Sequence, residues 1–168
     1  MVRIEVCETT SQWSRYTEFY ITHRTSIVPG YPVAFALKDV RDTMRQGRGG
    51  LLTNEADEVI GIGSFVLGLA EEGFGRKEIA VLGNSFFTER YRGNRTFFRG
   101  LQALAEQIAE ANPDTAEVRI PTAADNVYTN RLYGKLAKLA GTRETDYGTV
   151  NVYALPYADF AAFCRRYA

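Results

Sequence analysis

The sequence predicts an α+β fold built on a mixed α/β sheet. Three observations carry this prediction. Apolar residues alternate with polar ones in several short runs, strands cluster in the middle of the chain, and helices fall between the later strands. The chain has 168 residues, and a domain usually has about 100–200, so residues 1–168 read as one domain. A chain of this size buries roughly 68–70% of its unfolded surface and needs no disulfide or metal staple. Hydrophobic residues make up 45% and charged residues 24%, ordinary globular usage that excludes wholesale disorder.

Val2, Ile4 and Val6 alternate with Arg3 and Glu5, a half-buried first strand. Thr9 and Gln12 have capping-box spacing. The helix they open carries Trp13, Tyr16, Tyr20 and Ile27 and breaks at Pro29-Gly30-Tyr31-Pro32. Val33, Leu37, Val40 and Met44 predict a second helix, ended by the glycines from Gly47 to Gly50. Leu51–Thr53 and Glu58–Leu69 read as strands around the polar turn at 54–57, a hairpin. Gly61 and Gly63 in the second of these suggest a bulge or a close backbone approach. After a turn at Glu71–Gly75, Glu78–Phe87 is the next strand, with Gly83-Asn84 as an irregularity.

A helix opens near Gly93-Asn94. Its apolar stripe is Phe97, Leu101, Leu104, Ile108 and Ala111, and Asn112-Pro113 closes it. Ala116, Val118 and Ile120 form a strand that Pro121 stops. Asp125 or Asn126 caps the next helix, whose stripe is Tyr128, Leu132, Leu136 and Leu139, with Gly141 as its stop. Strands near Arg143–Asp146 and Thr149–Leu155 and a helix over Ala158–Tyr167 complete the chain.

Twenty Lys and Arg balance twenty Asp and Glu, so the broad basic footprint of a nucleic-acid binder is missing. Two cysteines and one histidine make neither a disulfide framework nor a zinc pattern, and no metal is expected. Cys7 and Cys164 read as small buried hydrophobes. The charged, alternating N-terminus is unlike a signal peptide, and no run approaches the ~18 apolar residues of a membrane span. The expectation is a soluble cytoplasmic protein with no nucleic-acid or membrane partner.

The chemically informative stretch is Phe86-Phe87-Thr88-Glu89-Arg90-Tyr91-Arg92-Gly93-Asn94-Arg95-Thr96, a strand, a basic turn and a helix start. The first turn of a helix leaves N–H groups unpaired and carries positive partial charge, so a pyrophosphate fits there. Arg92 and Arg95 add charge-assisted donors. A solvated basic loop is the plainer reading of the same residues.

With its element order, this stretch resembles the GCN5-related N-acetyltransferase (GNAT) family over almost the full chain. The family's cofactor motif is roughly Q/R-x-x-G-x-G/A. Arg92 falls on its first position, followed by Gly93 and Asn94. Arg95 and Phe97 then stand where the motif has glycines, which normally let the backbone approach a pyrophosphate. Asn126 lies seven residues before Tyr133, in a segment resembling a later family motif. The resemblance implies a mostly antiparallel mixed sheet flanked by helices, and acetyl-CoA as co-substrate. It implies that Arg92, Gly93, Asn94, Arg95 and Thr96 hold the pyrophosphate, and that Ser85 and Phe87 offer main-chain groups to the pantetheine. It further implies that Asn126 steadies the pantetheine arm and that Tyr133 acts as general acid on the departing thiolate.

Under that resemblance the activity is acetyl transfer to the amine of a small molecule or peptide by direct attack, with neither cysteine as nucleophile. The acceptor pocket is drawn from Tyr20–Met44 and Arg143–Val152, with Tyr31, Phe35 and Tyr128 as candidate lining residues. Glu78 and His23 are the candidate bases. The two missing glycines also suit an acetyltransferase-like fold that binds or regulates without catalysing. Exposed edge strands and the aromatic last helix suggest a homodimer.

Overall fold

A computed structural model describes residues 2–83, 85–91 and 95–167. The described strands form one sheet: β1 (Arg3–Val6), β2 (Gly47–Thr53), β3 (Val59–Leu67), β4 (Ile79–Leu82), β5 (Phe86–Phe87), β6 (Glu117–Ala123), β7 (Lys138–Thr145) and β8 (Gly148–Pro156). Its order is β1-β2-β3-β4-β6-β8-β7, with β5 also on β3. Only the β4–β6 pair is parallel; the other pairs are antiparallel. The helices are α1 (Thr10–Ile27), α2 (Val33–Gln46), α3 (Arg95–Ala111), α4 (Val127–Leu136) and α5 (Tyr157–Tyr167). The expected mixed, mostly antiparallel sheet flanked by helices is the observed one.

The strand pleat sorts the core onto two faces. Leu51, Ile62 and Phe86 pack with Tyr16, Phe19 and Tyr20 of α1 and with Ala36 and Val40 of α2. Leu52, Phe65 and Phe87 pack on the other face with Phe97, Leu101, Leu104 and Ile108 of α3, Tyr133 of α4 and Phe160 of α5. Each large apolar side chain so buried contributes about 1.5–3 kcal/mol. The predicted capping box opens α1: Gln12 N–H donates to Thr9 Oγ1 at 3.1 Å, and Thr9 N–H donates to Gln12 Oε1 at 3.0 Å.

Four boundaries differ from the sequence prediction, each through tertiary packing. Gly47 ends α2 as its C-cap, as expected, but β2 begins there and not at Leu51. A Cβ there would lie 1.8 Å from the Phe65 carbonyl oxygen, so a residue without a side chain lets the helix abut the sheet directly. The strand expected over Glu78–Phe87 is split into β4 and β5. Phe65 pairs with Leu82 but Ile62 pairs with Phe86, so the register slips by one residue between them, the signature of a bulge.

The other two differences lie in the second half of the chain. β6 runs through Pro121 to Ala123. Ala124 N–H donates to Thr149 O of β8, so by alternation the imide nitrogen of Pro121 points to the opposite side, where no ladder bond is lost. Finally, α4 stops at Leu136, and Leu139 and Gly141 lie in β7, paired with β8. Leu139 continues the helical period yet is 55% exposed: pairing with β8, not apolar period, decides that segment.

The glycines expected to mark close approach do so. A Cβ on Gly63 would meet Leu104 of α3 at 3.1 Å, and one on Gly61 would lie 2.8 Å from Phe87 Cδ1. A Gly61→Val substitution must push β5 outward, and overpacking of this kind costs about 1–3 kcal/mol. Urea unfolding should show that loss, and an unchanged midpoint would mean that β5 is not held against β3 as described.

Candidate active site

The bulge has a direct consequence. β4 and β6 pair only over Ile79–Val81 and Glu117–Arg119. Beyond that point the two strands diverge. Gly83 N–H and Thr88 N–H donate to Ser64 O and Ile60 O of β3, so the β4–β5 chain stays with β3, while β6 continues on β8 alone. Alternation turns the main-chain groups of Ser85 and Phe87 away from β3, toward the opening. On the facing strand, the carbonyl of Pro121 and the N–H of Ala123 have no strand partner on that side among the described residues.

A cavity of about 950 Å³ occupies this fork and passes from one sheet face to the other. On the α3–α4 side it is lined by Phe97, Asn126, Thr129 and Tyr133; on the α1–α2 side by Tyr20, Tyr31, Asp39, Asp42 and Thr43, with Tyr147 from the β7–β8 hairpin. Its walls include Ser85 and Phe87 from the bulge and Arg119–Ala123 from β6. The Ser85 Oγ is buried without a hydrogen-bond partner, an orphaned polar atom of the kind a ligand satisfies. The fork, with its extended main chain and this hydroxyl, fits the extended, amide-bearing arm of a pantetheine.

The sequence-derived residues divide as follows. Arg92, Gly93 and Asn94 lie outside the described residues. Arg95 is the first residue of α3 and is exposed; Thr96 follows it half-buried, and Phe97 faces the cavity and meets Phe87 at 5.5 Å between ring centroids. Phe97, in the first turn of α3, is thus where that helix reaches the cavity, near its positive dipole end. Asn126 is the N-cap of α4: its Oδ1 accepts from Thr129 N–H at 3.1 Å. That oxygen is committed to the helix, which leaves its amide nitrogen for a ligand.

Tyr133 lines the cavity at only 5% exposure. Burial, reinforced by nearby Cys164 and Tyr128, pushes its phenol pKa up. It holds its proton at neutral pH, the state required of an acid. Both thiols are raised to about 12, chiefly by burial, so neither supplies a thiolate nucleophile. His23 stacks on Phe86 at 5.1 Å, Glu78 is exposed, and neither lines the cavity. The geometry puts both outside the acceptor chamber.

Two functional positions were missed in the sequence. Asn130 is a hub: its amide nitrogen donates to Ala123 O at 2.9 Å and Asn126 O at 2.7 Å. Its Oδ1 accepts from Asn151 Nδ2 at 2.9 Å and from the Tyr153 hydroxyl at 2.8 Å. It ties α4, and hence Tyr133, to β6 and β8. An asparagine inside a helix is a poor helix former, and that was the available signal. The second is Asp39 on α2. Its Oδ2 accepts from the Tyr20 hydroxyl at 2.8 Å and from the Tyr31 hydroxyl. Nothing in the α2 sequence marks it, because its partners come from α1 and the following loop.

No family model matches the chain, and no curated protein is similar to it in sequence. Its fold does match solved structures. A GNAT-family acetyltransferase from Staphylococcus aureus aligns with a TM-score of 0.66 at 13% identity, over 92% of this chain and 99% of that one. The ribosomal-protein-S18-alanine N-acetyltransferase from Escherichia coli aligns at 0.66 and 17% identity, over 94% of each chain. A third, the ribosomal L7/L12 α-N-protein acetyltransferase RimL in complex with coenzyme A, aligns at 0.63 and 17% identity, over 92% and 93%. The chain thus has the fold of the GCN5-related N-acetyltransferases. Among the described residues no helix is long and apolar enough to cross a membrane, and no cluster of three or more His, Cys, Asp or Glu is placed to hold a metal ion.

Burial raises the Asp39 pKa against the opposing pull of its two tyrosine hydrogen bonds; Asp42 adds to the rise and Lys38 lowers it. The native state therefore binds this proton more tightly than the unfolded chain, whose carboxylate titrates near about 3.9. The stability it contributes is complete below that value and is lost as pH rises through the native pKa. Asp39→Asn should accordingly gain on the parent protein in urea midpoint between about pH 3 and about pH 7. A difference independent of pH would show that the carboxylate is not desolvated.

Proposed function

We propose that this protein is an acetyl-CoA-dependent N-acetyltransferase that transfers acetyl to an amine by direct attack. The carrying observation is the fork: one continuous cavity runs from the first turn of α3 on one sheet face to a separate chamber on the other, past Pro121 and Ala123 of β6. When bound, acetyl-CoA supplies an activated thioester. Arg95, Thr96 and the α3 N-terminus face its pyrophosphate, with Arg92, Gly93 and Asn94 assigned there by the sequence motif alone. Ser85, Phe87, Pro121 and Ala123 pair with its pantetheine, and Asn126 offers its amide nitrogen.

Arg95 in place of a glycine need not block this arrangement, because its side chain is exposed and is not part of the cavity lining. Attack by the neutral amine forms the N–C bond and breaks the C–S bond. The sulfur takes its proton from Tyr133, and the proton that the acylated nitrogen sheds restores the phenol. Tyr133 is placed for this role by its position in the cavity wall, with its phenol protonated at neutral pH. Tyr133 in the cavity wall favours this reading over a binding module without catalysis, whereas the orphaned Ser85 hydroxyl suits ligand binding under either.

Acetyl-CoA should stabilise the protein by about 2.7 kcal/mol at a hundred times its dissociation constant, read as a thermal shift. Absence of a shift at millimolar ligand would overturn the proposal. Tyr133→Phe should leave acetyl-CoA affinity intact and lower turnover by about 10²–10⁴-fold; an undiminished rate would remove Tyr133 from the mechanism. Arg95→Ala should weaken acetyl-CoA binding roughly tenfold, the loss of one charge-assisted hydrogen bond. Unchanged affinity would take Arg95 out of the pyrophosphate site.

A further inference from the structure

We propose that the acceptor chamber takes a primary ammonium carried on an apolar, aromatic body. In this proposal Asp39 holds the nitrogen, and Tyr31 and Tyr147 flank the carbon frame. This rests on the acetyl-transfer reading above and names the substrate class for it.

Asp39 lines the cavity, yet both of its hydrogen bonds fall on one oxygen. Tyr20 and Tyr31 donate to Oδ2, while Oδ1 accepts nothing from the described residues. The two hydroxyls fix the carboxylate plane and leave one oxygen for a ligand. No cation pairs with Asp39 among the described residues. A desolvated carboxylate without a counter-charge is costly, and an ammonium ligand supplies the missing charge. Asp42, one turn along α2, also lines the cavity, its carboxylate paired with Arg41 at 3.9 Å.

The walls specify the rest of the ligand. Tyr31 and Tyr147 line the chamber with ring centroids 4.8 Å apart at 88°, and Phe35 packs on both at 6.0 and 6.2 Å. Rings this close touch one another, so they form a wall and not an open cage. A quaternary ammonium has no gap to enter and no N–H to lose, whereas an aryl or alkyl body packs flat or edge-on against such a wall. An α-carboxylate on the acceptor would face Asp39 and Asp42. Of the two arginines lining the cavity, Arg119 is already paired with Glu117 at 2.7 Å and Arg143 stands exposed on β7.

The chemistry balances. The ammonium passes one proton to the Asp39 carboxylate, giving a neutral amine and a carboxylic acid that returns its proton to water. Attack then forms the N–C bond, and the sulfur leaves with the proton of Tyr133. The acylated nitrogen loses a second proton, which restores the phenol. The raised Asp39 pKa makes it a better proton acceptor than an ordinary surface aspartate.

Phenethylamine, with phenylalanine as its carboxylated counterpart, tests the proposal by calorimetric binding to the cofactor-free protein and by steady-state acetyl transfer. Phenethylamine should bind at least tenfold more tightly than phenylalanine. Asp39→Asn, which keeps an acceptor for both tyrosines, should weaken phenethylamine binding and raise its KM at least tenfold while leaving acetyl-CoA affinity unchanged. Tyr147→Ala, in the β7–β8 turn where the ring is half-buried against Tyr31, should weaken phenethylamine but not acetyl-CoA. Equal binding of phenylalanine, or an Asp39→Asn protein that binds phenethylamine as well as its parent, would overturn the inference. If acetyl-CoA binds and phenethylamine does not, this proposal alone falls. If phenethylamine binds in an Asp39-dependent way and acetyl-CoA does not, the ammonium site stands and the transferase reading falls.

Discussion

The structure turns on the hydrogen bonds that β4 and β6 stop making. Parallel pairing over Ile79–Val81 and Glu117–Arg119 holds two antiparallel sheet halves together, and one bulged residue then sends the strands apart. Backbone polar groups in a protein interior are normally paired, so a gap in the middle of a sheet is stable only where something else meets those groups. Everything else about the site follows from that gap. The cavity exists because the strands diverge, it is lined by main chain because strands make its walls, and it crosses the sheet because a sheet is one layer thick.

The two helical layers then acquire different tasks from the same opening. On one face α3 reaches the cavity through Phe97 in its first turn, and α4 brings a buried phenol. Asn130 keeps that helix in place by joining three elements through a single side chain. On the other face α1 and α2 build a chamber that holds a carboxylate braced by two tyrosine hydroxyls. The first turn of a helix on one face and a buried carboxylate on the other meet one cavity across one sheet. A formal net charge of zero, twenty cations against twenty anions over the whole chain, carries no trace of this local arrangement.

Much of the fold was legible because its signals are local. The Thr9–Gln12 capping box, the α3 stripe and the alternation in β1 and β6 depend on neighbours within a turn or a strand, where side-chain spacing and backbone geometry are directly coupled. Errors came where a distant partner overrode the local period. Leu139 continued a helical stripe but was captured by β8, and Pro121 read as a terminator although its missing N–H faces the opening. The site was half legible for the same reason. Tyr133 and Asn126 are one helical segment apart and were visible as a pair, while Asp39 is defined by hydroxyls from Tyr20 and Tyr31, whose proximity no spacing rule encodes.

By itself the sequence determined the fold class, the order of elements, the caps, the core stripes, and the placing of an arginine-rich helix start beside a strand. These follow from short-range sterics and hydrophobic periodicity, which act between residues close in the chain. Only the tertiary structure decided where β4 lets go of β6, and which backbone groups consequently face a cavity. It alone placed Tyr133 and Asp39 on opposite sides of one passage. Those outcomes depend on register between strands dozens of residues apart, and register is chosen by the packing of the whole sheet.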